Sequence, residues 1–241
     1  MTEIFSDGFE SGGVGNWTAN QELGGTNTVV TTAPHHGTYH LNSTVTSDAD
    51  VYLYKDFTRA LRQLNERAYL RVVSGFTLNG FWFYLRDVAG TQAIAYLGTS
   101  GSSRYLYMRY HDSGGAHYLT SDTVFPNDGN YHCLEIQFIP SATDASFKVF
   151  LDGSEVADLT VTGLNANFQS DRAAVGGHAP ASSYTSGVLY GDCVVVADAY
   201  IGTEGAPPPE GQPYISRVQQ VSGMQTFNPI HALKVKPRKL I

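Results

Sequence analysis

Residues 147–156 read FKVFLDGSEV, and this stretch decides the kind of fold that the chain adopts. Phe147, Val149 and Leu151 share one face of an extended segment, because successive side chains of a strand point to opposite faces. Asp152 and Gly153 follow them as the pair that a tight two-residue turn with positive φ favours. The stretch therefore predicts a β-hairpin, an antiparallel pairing whose register is set by its turn.

Short runs of the same kind recur between clusters of turn-forming residues such as GGTN, SGSS, DSGG and NDGN. The runs are residues 51–54, 68–73, 81–86, 92–97, 104–111, 132–138, 147–151 and 193–201. Many hairpins in succession give stacked antiparallel sheets, so the spacing predicts an all-β sandwich of two antiparallel sheets. Residues 58–67 differ, because Leu61 and Leu64 lie three apart there, and this spacing predicts a short connecting turn of helix.

The composition agrees with a β-rich globular protein. The chain has 241 residues, of which 25 are Gly, 15 are Tyr and 12 are Phe, and charged residues make up 15%. A charged helical bundle, a coiled coil or a disordered tail would carry many more charges and fewer aromatic residues. These classes are therefore excluded, and the length suits one sandwich with a sizeable core.

The two cysteines, Cys133 and Cys193, each lie in a predicted strand and are 60 positions apart. They would pair only if the fold brought their strands side by side. We expect two free buried thiols, because single cysteines commonly pack as small hydrophobic residues.

Charge is distributed unevenly along the chain. The net charge is −7, but residues 211–241 contain five cations and no acid, so the first 210 residues carry ten cations against 22 acids. An acidic body repels nucleic acid and anionic membrane surfaces. We therefore expect neither as a partner.

Three regions follow from the sequence: a body at residues 1–205, a linker at 206–213 and an arm at 214–241. The linker, APPPEGQP, is a stiff proline-rich segment that cannot form a central strand. The arm is basic and too short for a core of its own. Near its end, HALKVK at residues 231–236 alternates apolar and cationic residues at the period of a strand. We expect this extended C-terminal arm to bind another subunit of a protein assembly, adding a strand to its sheet. The residues expected to contact that partner are Tyr214, Ile215, Val218, Phe227, Leu233, Lys234, Val235 and Lys236.

Four segments of the body resemble known jelly rolls. Residues 127–136, NDGNYHCLEI, and 147–156 are similar to the laminin-G and pentraxin branch of the concanavalin-A-like family. Residues 5–12, FSDGFESG, and 192–202, DCVVVADAYIG, resemble the first and closing strands of bacterial sugar-binding jelly rolls, which pair with each other. The resemblance spans residues 4–202 and implies a concanavalin-A-like jelly-roll sandwich.

The resemblance also implies a structural calcium ion where the first and closing strands meet. Asp7, Glu10 and Asp192 are the carboxylates that would supply hard oxygen ligands there. The alternative is that these residues cap turns.

A repeated Tyr-x-Arg pattern marks a candidate glycan-binding stripe. Both members of each pair share a strand face, and if the strands are neighbours the rings and guanidinium groups form one surface. Aromatic rings stack on sugars, while Arg donates to hydroxyls or to acidic sugars. The alternative is a solvated sheet stabilised by cross-strand pairs without a ligand. The candidate residues are Tyr69, Arg71, Trp82, Tyr84, Arg86, Tyr105, Tyr107 and Arg109.

The sequence contains none of the catalytic motifs typical of hydrolases. Glucanases of this fold carry Glu-x-Asp-x-x-Glu on one strand, which places an acid and a nucleophile together, and the sequence has no such run. It also lacks the Gly-x-Ser-x-Gly of serine hydrolases. We expect a protein that is not an enzyme.

These observations predict a non-catalytic virion component, such as a phage tail, fibre or capsid-decoration protein. It would display a glycan-binding jelly roll anchored by the arm. The opening MTEIFSD has neither the basic nor the apolar region of a secretory signal, which favours synthesis in a host cytoplasm followed by release on lysis. The alternative is an extracellular carbohydrate-binding module, or a glycoside hydrolase or lyase of the same fold. A structural spacer without a ligand also stays open.

Overall fold

Antiparallel strands dominate a computed structural model that describes residues 2–46, 50–60, 63–73, 80–87, 93–100, 104–178 and 187–204. The predicted linker at 206–213 and arm at 214–241 lie outside these residues. Within them, sixteen strands, numbered along the chain, form two sheets, and a single 3-10 turn spans Ala157–Leu159. No helix in this part of the chain is long and apolar enough to cross a membrane.

The first sheet has the strand order β13-β12-β11-β6-β16-β4-β3, with β1 added beside β16 and β14 beside β12. Its strands are β1 Glu3–Asp7, β3 Gly25–Val30, β4 His40–Val45, β6 Leu64–Val72, β11 His132–Ile139, β12 Ser141–Leu151, β13 Ser154–Glu155, β14 Val161–Ala166 and β16 Gly187–Ala197.

The second sheet has the order β10-β9-β8-β7-β15-β5-β2. Its strands are β2 Ala19–Glu22, β5 Val51–Ala60, β7 Gly80–Arg86, β8 Ala93–Ser100, β9 Tyr105–Asp112, β10 Gly115–Val124 and β15 Ser170–His178. All pairings in both sheets are antiparallel, which confirms the predicted all-β sandwich.

The hairpin predicted at residues 147–156 is present. Leu151 pairs with Ser154, and the two residues between them have positive φ, 50° at Asp152 and 81° at Gly153. A turn with two left-handed residues matches the right-handed twist of the strands that it joins. The local sequence therefore sets this register.

The predicted helical turn at residues 58–67 is wrong. Strand β5 runs to Ala60 and β6 begins at Leu64. Leu64, Ala68 and Leu70 are fully buried at alternating positions, and β6 lies in the middle of the first sheet between β11 and β16. Pairing on both sides outweighs a local spacing of two leucines.

The first and closing strands pair, as the resemblance implied. Asp7 of β1 lies opposite Val194 of β16, while the earlier part of β16 pairs with β4. The register shifts after Asp192, where Cys193 has a φ of 48°. This β-bulge lets one strand pair with β4 and then with β1 along the same edge.

The core lies between the sheets and is built from both inner faces. Leu70 and Ile136 of the first sheet and Leu53, Phe83 and Leu85 of the second are at most 1% exposed. Trp82 also belongs to this core, with its ring 4.8 Å from that of Phe125. Edge-to-face packing of large rings adds to the free energy gained by burial.

One acidic side chain faces this apolar core. Glu66 on β6 is completely buried, and its register partners Ile136 and Val196 are buried core residues. Neither of its carboxyl oxygens has a hydrogen-bond partner among the described residues. Burial raises the pKa of Glu66 well above its usual range, so the protonated form is favoured.

A short strap crosses the outer face of the first sheet after β16. The carboxylate of Glu135 accepts hydrogen bonds from the backbone N–H of Ile201 at 2.9 Å and of Gly202 at 2.8 Å. Arg67 donates to the carbonyl of Gly202, and the backbone N–H of Glu204 donates to the hydroxyl of Tyr69. The two central strands β6 and β11 therefore hold residues 201–204.

The two cysteines are free and buried, as expected. Cys133 lies opposite Tyr69, which on its other side lies opposite Asp192. Strand β6 therefore lies between the strands of the two cysteines. At the usual strand spacing their backbones are about 9–10 Å apart, which is too far for a disulfide. Burial raises the pKa of Cys133 to about 12, and it raises the pKa of Cys193 as well.

A histidine clamp joins two turns at one end of the first sheet. Nδ1 of His132 lies 2.8 Å from Oδ2 of Asp152, and Nε2 lies 3.1 Å from Oδ1 of Asp128. Burial lowers the pKa of His132, but hydrogen bonds to the two carboxylates outweigh this and raise it overall. The protonated ring donates from both nitrogens, so it satisfies both carboxylates at once.

Replacing Glu66 is expected to stabilise the protein at neutral pH. Glu66→Leu should raise the free energy of unfolding by about 1–3 kcal/mol, because it removes a buried polar group without partners. Above about pH 4.5 the unfolded wild-type chain loses this proton while the folded chain keeps it, so wild-type stability falls with pH. Glu66→Gln is the matched control. It cannot ionise, so its free energy of unfolding should lack this decrease with pH. Denaturant unfolding at several pH values measures the free energy of unfolding of each variant. The same dependence on pH in wild type and Glu66→Gln would contradict the prediction.

The clamp predicts that His132 stabilises the fold more at low pH, where its ring is protonated, than at high pH. The pKa of His132 is raised in the folded state. Its contribution to the free energy of unfolding is therefore complete below about pH 6.5 and is lost as the pH rises through the folded-state pKa. His132→Gln should therefore lower the melting temperature more at about pH 6 than at about pH 9. His117→Gln serves as the control, since His117 also pairs with one aspartate, Asp112, but is more exposed. An equal loss at both pH values for His132→Gln would refute the clamp.

Candidate functional site

A continuous row of paired residues crosses all seven strands of the second sheet. Each member lies directly opposite the next, from β2 to β10. The row consists of Ala19, Tyr54, Ala174, Tyr84, Tyr96, Arg109 and Tyr118. Six strand-to-strand steps give it a length of about 29 Å.

Alternation along the strands places this row on the outer face. Leu53, Val175, Leu85 and Met108 precede or follow members of the row on their own strands, and all four are buried in the core between the sheets. Side chains one position away point to the opposite face. The side chains of the row on β5, β15, β7 and β9 are therefore directed away from the core.

An aromatic and cationic cluster lies at the β9–β10 end of the row. The rings of Tyr107 and Tyr118 are stacked, with centroids 6.0 Å apart and planes 22° apart. The guanidinium carbon of Arg109 lies 5.7 Å from the centre of the Tyr118 ring. Tyr118 is 57% exposed and Tyr105 on the same face is 39% exposed, so the cluster presents ring surface to solvent. We call Tyr107, Arg109 and Tyr118 the β9–β10 cluster.

The middle of the row is closed. Tyr84 is 3% exposed and Tyr52 is 9% exposed, and their rings meet edge to face at 5.2 Å. Burial raises the pKa of both hydroxyls, most strongly that of Tyr84. These tyrosines are neutral at ordinary pH and support the face instead of offering an open stacking surface.

At the other end of the row an arginine is held rigidly. Both Nε and Nη2 of Arg172 donate to the carboxylate of Asp56, and its guanidinium carbon lies 3.7 Å from the centre of the Tyr54 ring. A two-pronged ion pair stacked on a ring fixes the guanidinium plane. The hydrogen bond to Asp56 raises the pKa of Arg172 further.

The charge on this face contrasts with the rest of the body. By alternation, the outer positions of β5, β15, β7, β9 and β10 carry three arginines, Arg172, Arg86 and Arg109, and two carboxylates, Asp56 and Asp122. Asp56 is already engaged by Arg172. An excess of positive charge thus lies on one face of a body that carries ten cations against 22 acids in its first 210 residues.

A neutral histidine adjoins the cluster. His111 lies two residues after Arg109 on the same face of β9, and its Nε2 is buried without a hydrogen-bond partner. Burial lowers the pKa of His111, and the charge of Arg109 lowers it further. The ring is therefore unprotonated at neutral pH.

The structure divides the predicted stripe. Tyr84, Arg86, Tyr105, Tyr107 and Arg109 share the outer face of the second sheet, although β8 separates their two strands.

Trp82 was wrongly placed on this face. The register of β7 shifts between Phe81 and Phe83, and this bulge turns Trp82 into the core.

Tyr69 and Arg71 were also wrongly placed, because β6 belongs to the first sheet. Tyr69 is buried under the ring of His35, with centroids 3.7 Å apart, and its hydroxyl accepts from Glu204. The guanidinium carbon of Arg71 lies 5.6 Å from the Tyr190 ring. Both residues therefore face the side of the sandwich opposite to the row.

The sequence prediction missed Tyr52, Tyr54, Arg172, His111 and Tyr118. One signal was present for the first two, since Val51-Tyr52-Leu53-Tyr54 alternates apolar and aromatic residues at the period of a strand. Nothing local to Arg172 or Tyr118 indicates that β15 and β10 lie in the same sheet as β7 and β9.

The three carboxylates of the predicted calcium site accept hydrogen bonds from backbone N–H groups and from one indole N–H. Asp7 accepts from Phe9 N and from Trp17 Nε1, each at 2.8 Å. Glu10 accepts from the backbone of Thr38 and Tyr39.

Asp192 accepts from the backbone N–H of His35 and His36 with one oxygen and of Cys193 with the other. Burial raises the pKa of both Asp7 and Asp192.

This arrangement is the turn-capping alternative, and it fits a cation poorly. The oxygens that calcium would need already accept hydrogen bonds. The described residues contain no group of three or more His, Cys, Asp or Glu side chains that could hold a metal ion. Calcium binding stays a prediction without support from these contacts.

No protein-family model matches the chain, and no curated protein matches it. Solved structures do share its fold. The cellulose-induced protein Cip1 is 18% identical, with a TM-score of 0.64 over 83% of this chain and 99% of that one. The alginate lyase vAL-1 from Chlorella virus is 11% identical, with a TM-score of 0.59 over 82% of this chain and 99% of that one. The globular domain of T. cruzi calreticulin is 15% identical, with a TM-score of 0.58 over 83% and 89%. Likeness at this level of identity concerns the fold alone, and the chain has the jelly-roll sandwich fold that the sequence resemblance predicted.

Proposed function

We propose that the outer face of the second sheet binds an acidic polysaccharide, without cleaving it, at the β9–β10 cluster. The observation that carries the proposal is the exposed ring of Tyr118, stacked on the half-buried ring of Tyr107 with the guanidinium of Arg109 beside it. Exposed aromatic faces stack on the apolar faces of sugar rings. A guanidinium group supplies paired donors for carboxylate or sulfate oxygens.

The charges of the face favour an acidic ligand over a neutral one. The outer face of the second sheet carries the guanidinium groups of Arg86 and Arg109 in addition to Arg172, which is engaged by Asp56. Two guanidinium groups within an otherwise acidic body attract a polyanion to this face selectively. The row of about 29 Å is long enough for several sugar units to lie across the strands.

A second candidate function is a lyase acting on polyuronates at the same place. The observation that favours it is His111, an unprotonated ring beside Arg109 with an unpaired Nε2. Arg109 would neutralise the uronate carboxylate while His111 takes the C5 proton. The C4–C5 double bond then forms as the glycosidic C4–O bond breaks, and the leaving oxygen takes a proton from water. Tyr84 of the row and Tyr107 of the β9–β10 cluster are poor bases, because burial raises the pKa of both hydroxyls.

The proposal also concerns the assembly on which the binding face is displayed. We propose that the body is displayed on an assembly, with a phage virion as the first candidate, and is anchored by residues 206–241. The location would then be the virion, or the extracellular space if the anchor is absent. The uneven charge of the chain supports this arrangement, because a basic arm suits an acidic partner surface.

Binding to three soluble polysaccharides tests the proposal. By calorimetry, wild type should bind alginate, a polyuronate, and heparin, a sulfated glycan, more tightly than neutral laminarin. Arg109→Ala and Tyr118→Ala should each weaken binding about ten-fold, since each removes one of the three groups that define the cluster. Arg109→Lys keeps the positive charge but loses the paired donors of the guanidinium group. Its affinity should therefore lie between that of wild type and that of Arg109→Ala.

Arg71→Ala is the matched control, because Arg71 also adjoins a tyrosine ring but lies on the opposite side of the sandwich. It should bind as wild type does. Equal binding by wild type and Arg109→Ala, or the absence of any binding, would refute the proposal. If wild type formed an unsaturated, ultraviolet-absorbing product from alginate and His111→Gln did not, the protein would be a lyase instead of a non-catalytic binding protein.

A further inference from the structure

Strand β10 is an edge of the second sheet, and the first part of that edge is open. β10 pairs with β9 from Gly115 to Thr120, and the described residues place no strand on its other side. Beyond Thr120 the 3-10 turn covers the strand, because Oδ2 of Asp158 accepts from the hydroxyl of Ser121 and from the backbone N–H of Asp122. The open stretch therefore spans six residues.

Three residues of this stretch direct their backbone groups to the open side. Asp112 and Gly115 face each other across a two-residue turn, so they form a hydrogen-bonded pair. Hydrogen-bonded pairs alternate along an antiparallel ladder, so the N–H and C=O groups of Ala116, Tyr118 and Thr120 point away from β9. All three of these residues are exposed. A row of alternating donors and acceptors therefore lies along this edge.

The open stretch has none of the features that prevent a strand from pairing further. Proteins commonly protect a free edge with Lys, Pro, an inward charge or a bulge, or by keeping the strand short. Residues 115–121, GAHYLTS, contain no Lys, Arg, Asp, Glu or Pro, and the ladder from Gly115 to Thr120 has no register shift. Of the four large hydrophobic side chains exposed in the described residues, three lie on β9 and β10, namely Tyr105, Tyr118 and Val124. Exposed apolar groups gathered in one place mark an interaction surface.

The other edge strands of the sandwich are protected. β13 has two residues, and the pairings of β1 and β14 with their neighbours contain register shifts. β2 and β3 are bridged, because Asn27 donates through Nδ2 to Asn20 and through its backbone N–H to Glu22. β10 differs from these strands in combining a regular ladder with a clear edge.

We propose that two copies of the protein pair through this edge, β10 against β10, about a two-fold axis at Tyr118. An axis there is the one that matches the three outward-facing residues with one another, since Tyr118 faces its own copy and Ala116 faces Thr120. The partner strand runs antiparallel, and about six ladder hydrogen bonds form. The interface is isologous, and no like charges face each other along it.

The pairing joins the candidate sites of the two molecules, because Tyr118 is the last member of the row on the second sheet. Two Arg109 guanidinium groups then flank two Tyr118 rings on one face, three strand steps or about 14 Å apart. An acidic polysaccharide carries charges at repeated intervals, so one long chain engages both β9–β10 clusters. This consequence rests on the proposed function, whereas the pairing itself does not.

Disulfide trapping on the full-length protein tests the pairing and its register. Cα atoms of a hydrogen-bonded antiparallel pair are about 5.5 Å apart, so Tyr118→Cys should form a covalent dimer under mild oxidation. Thr120→Cys is the matched control, because its two copies lie about 13 Å apart along the paired strands, beyond the reach of a disulfide. We expect about ten-fold more covalent dimer from Tyr118→Cys than from Thr120→Cys or wild type. Equal amounts in the two variants, or none in either, would overturn the proposal.

The mass of the protein in solution tests the pairing without a crosslink. By sedimentation, wild type should shift from monomer toward dimer as its concentration rises from micromolar to millimolar, since a small interface gives weak association. Ala116→Pro removes an N–H that points away from β9, so β10 keeps its ladder while the pairing loses a donor. This variant should stay a monomer. Ala116→Ser keeps the N–H and is the matched control, expected to dimerise as wild type does. A wild type that stays monomeric, or that associates no more than Ala116→Pro, would contradict the pairing.

Sugar binding separates this proposal from the proposed function. Trapping and sedimentation involve no sugar, so a dimer that fails to bind alginate removes the proposed function and leaves the pairing. A monomeric wild type that binds alginate does the reverse. If both proposals hold, Ala116→Pro should bind the alginate polymer about ten-fold more weakly than wild type does, because only the polymer spans both clusters. A short uronate oligomer should bind wild type and Ala116→Pro equally well.

Discussion

The buried carboxylate of Asp192 is the contact on which the first sheet depends. It lies at the bulge where the pairing of β16 passes from β4 to β1, and it accepts from the backbone of His35 and His36 in the loop before β4. One side chain thus fixes the loop and the bulge together. Through them it fixes the point at which the chain's first strand joins its last.

The outer face of the second sheet depends in turn on register. Tyr84 and Arg109 share a row only because β8 lies between their strands and pairs with both. A slip by one residue in either pairing would turn a ring or a guanidinium group into the core. The buried pair Tyr52 and Tyr84 opposes such a slip, because both rings fill the middle of the face.

Much of this architecture could be predicted from local sequence. The Asp152-Gly153 turn fixes a hairpin, and alternation identifies strands such as β9 and β11. The spacing of Leu61 and Leu64 misled, because pairing of β6 on both sides outweighs it. Trp82 misled for a similar reason, since a one-residue bulge is invisible in the alternation of FWFYLR. Which strands are neighbours is a property of distant parts of the chain, so the division of Tyr69 and Tyr84 between two sheets could not be predicted.

The strap at residues 201–204 has a mechanical consequence. Its backbone is bound by Glu135 and Arg67, which belong to the two central strands of the first sheet. Tension applied beyond Glu204 would therefore load the middle of a sheet in shear and would not peel an edge strand away. The aromatic row lies on the other side of the sandwich, so a body pulled from this point would keep that row turned away from the direction of the pull.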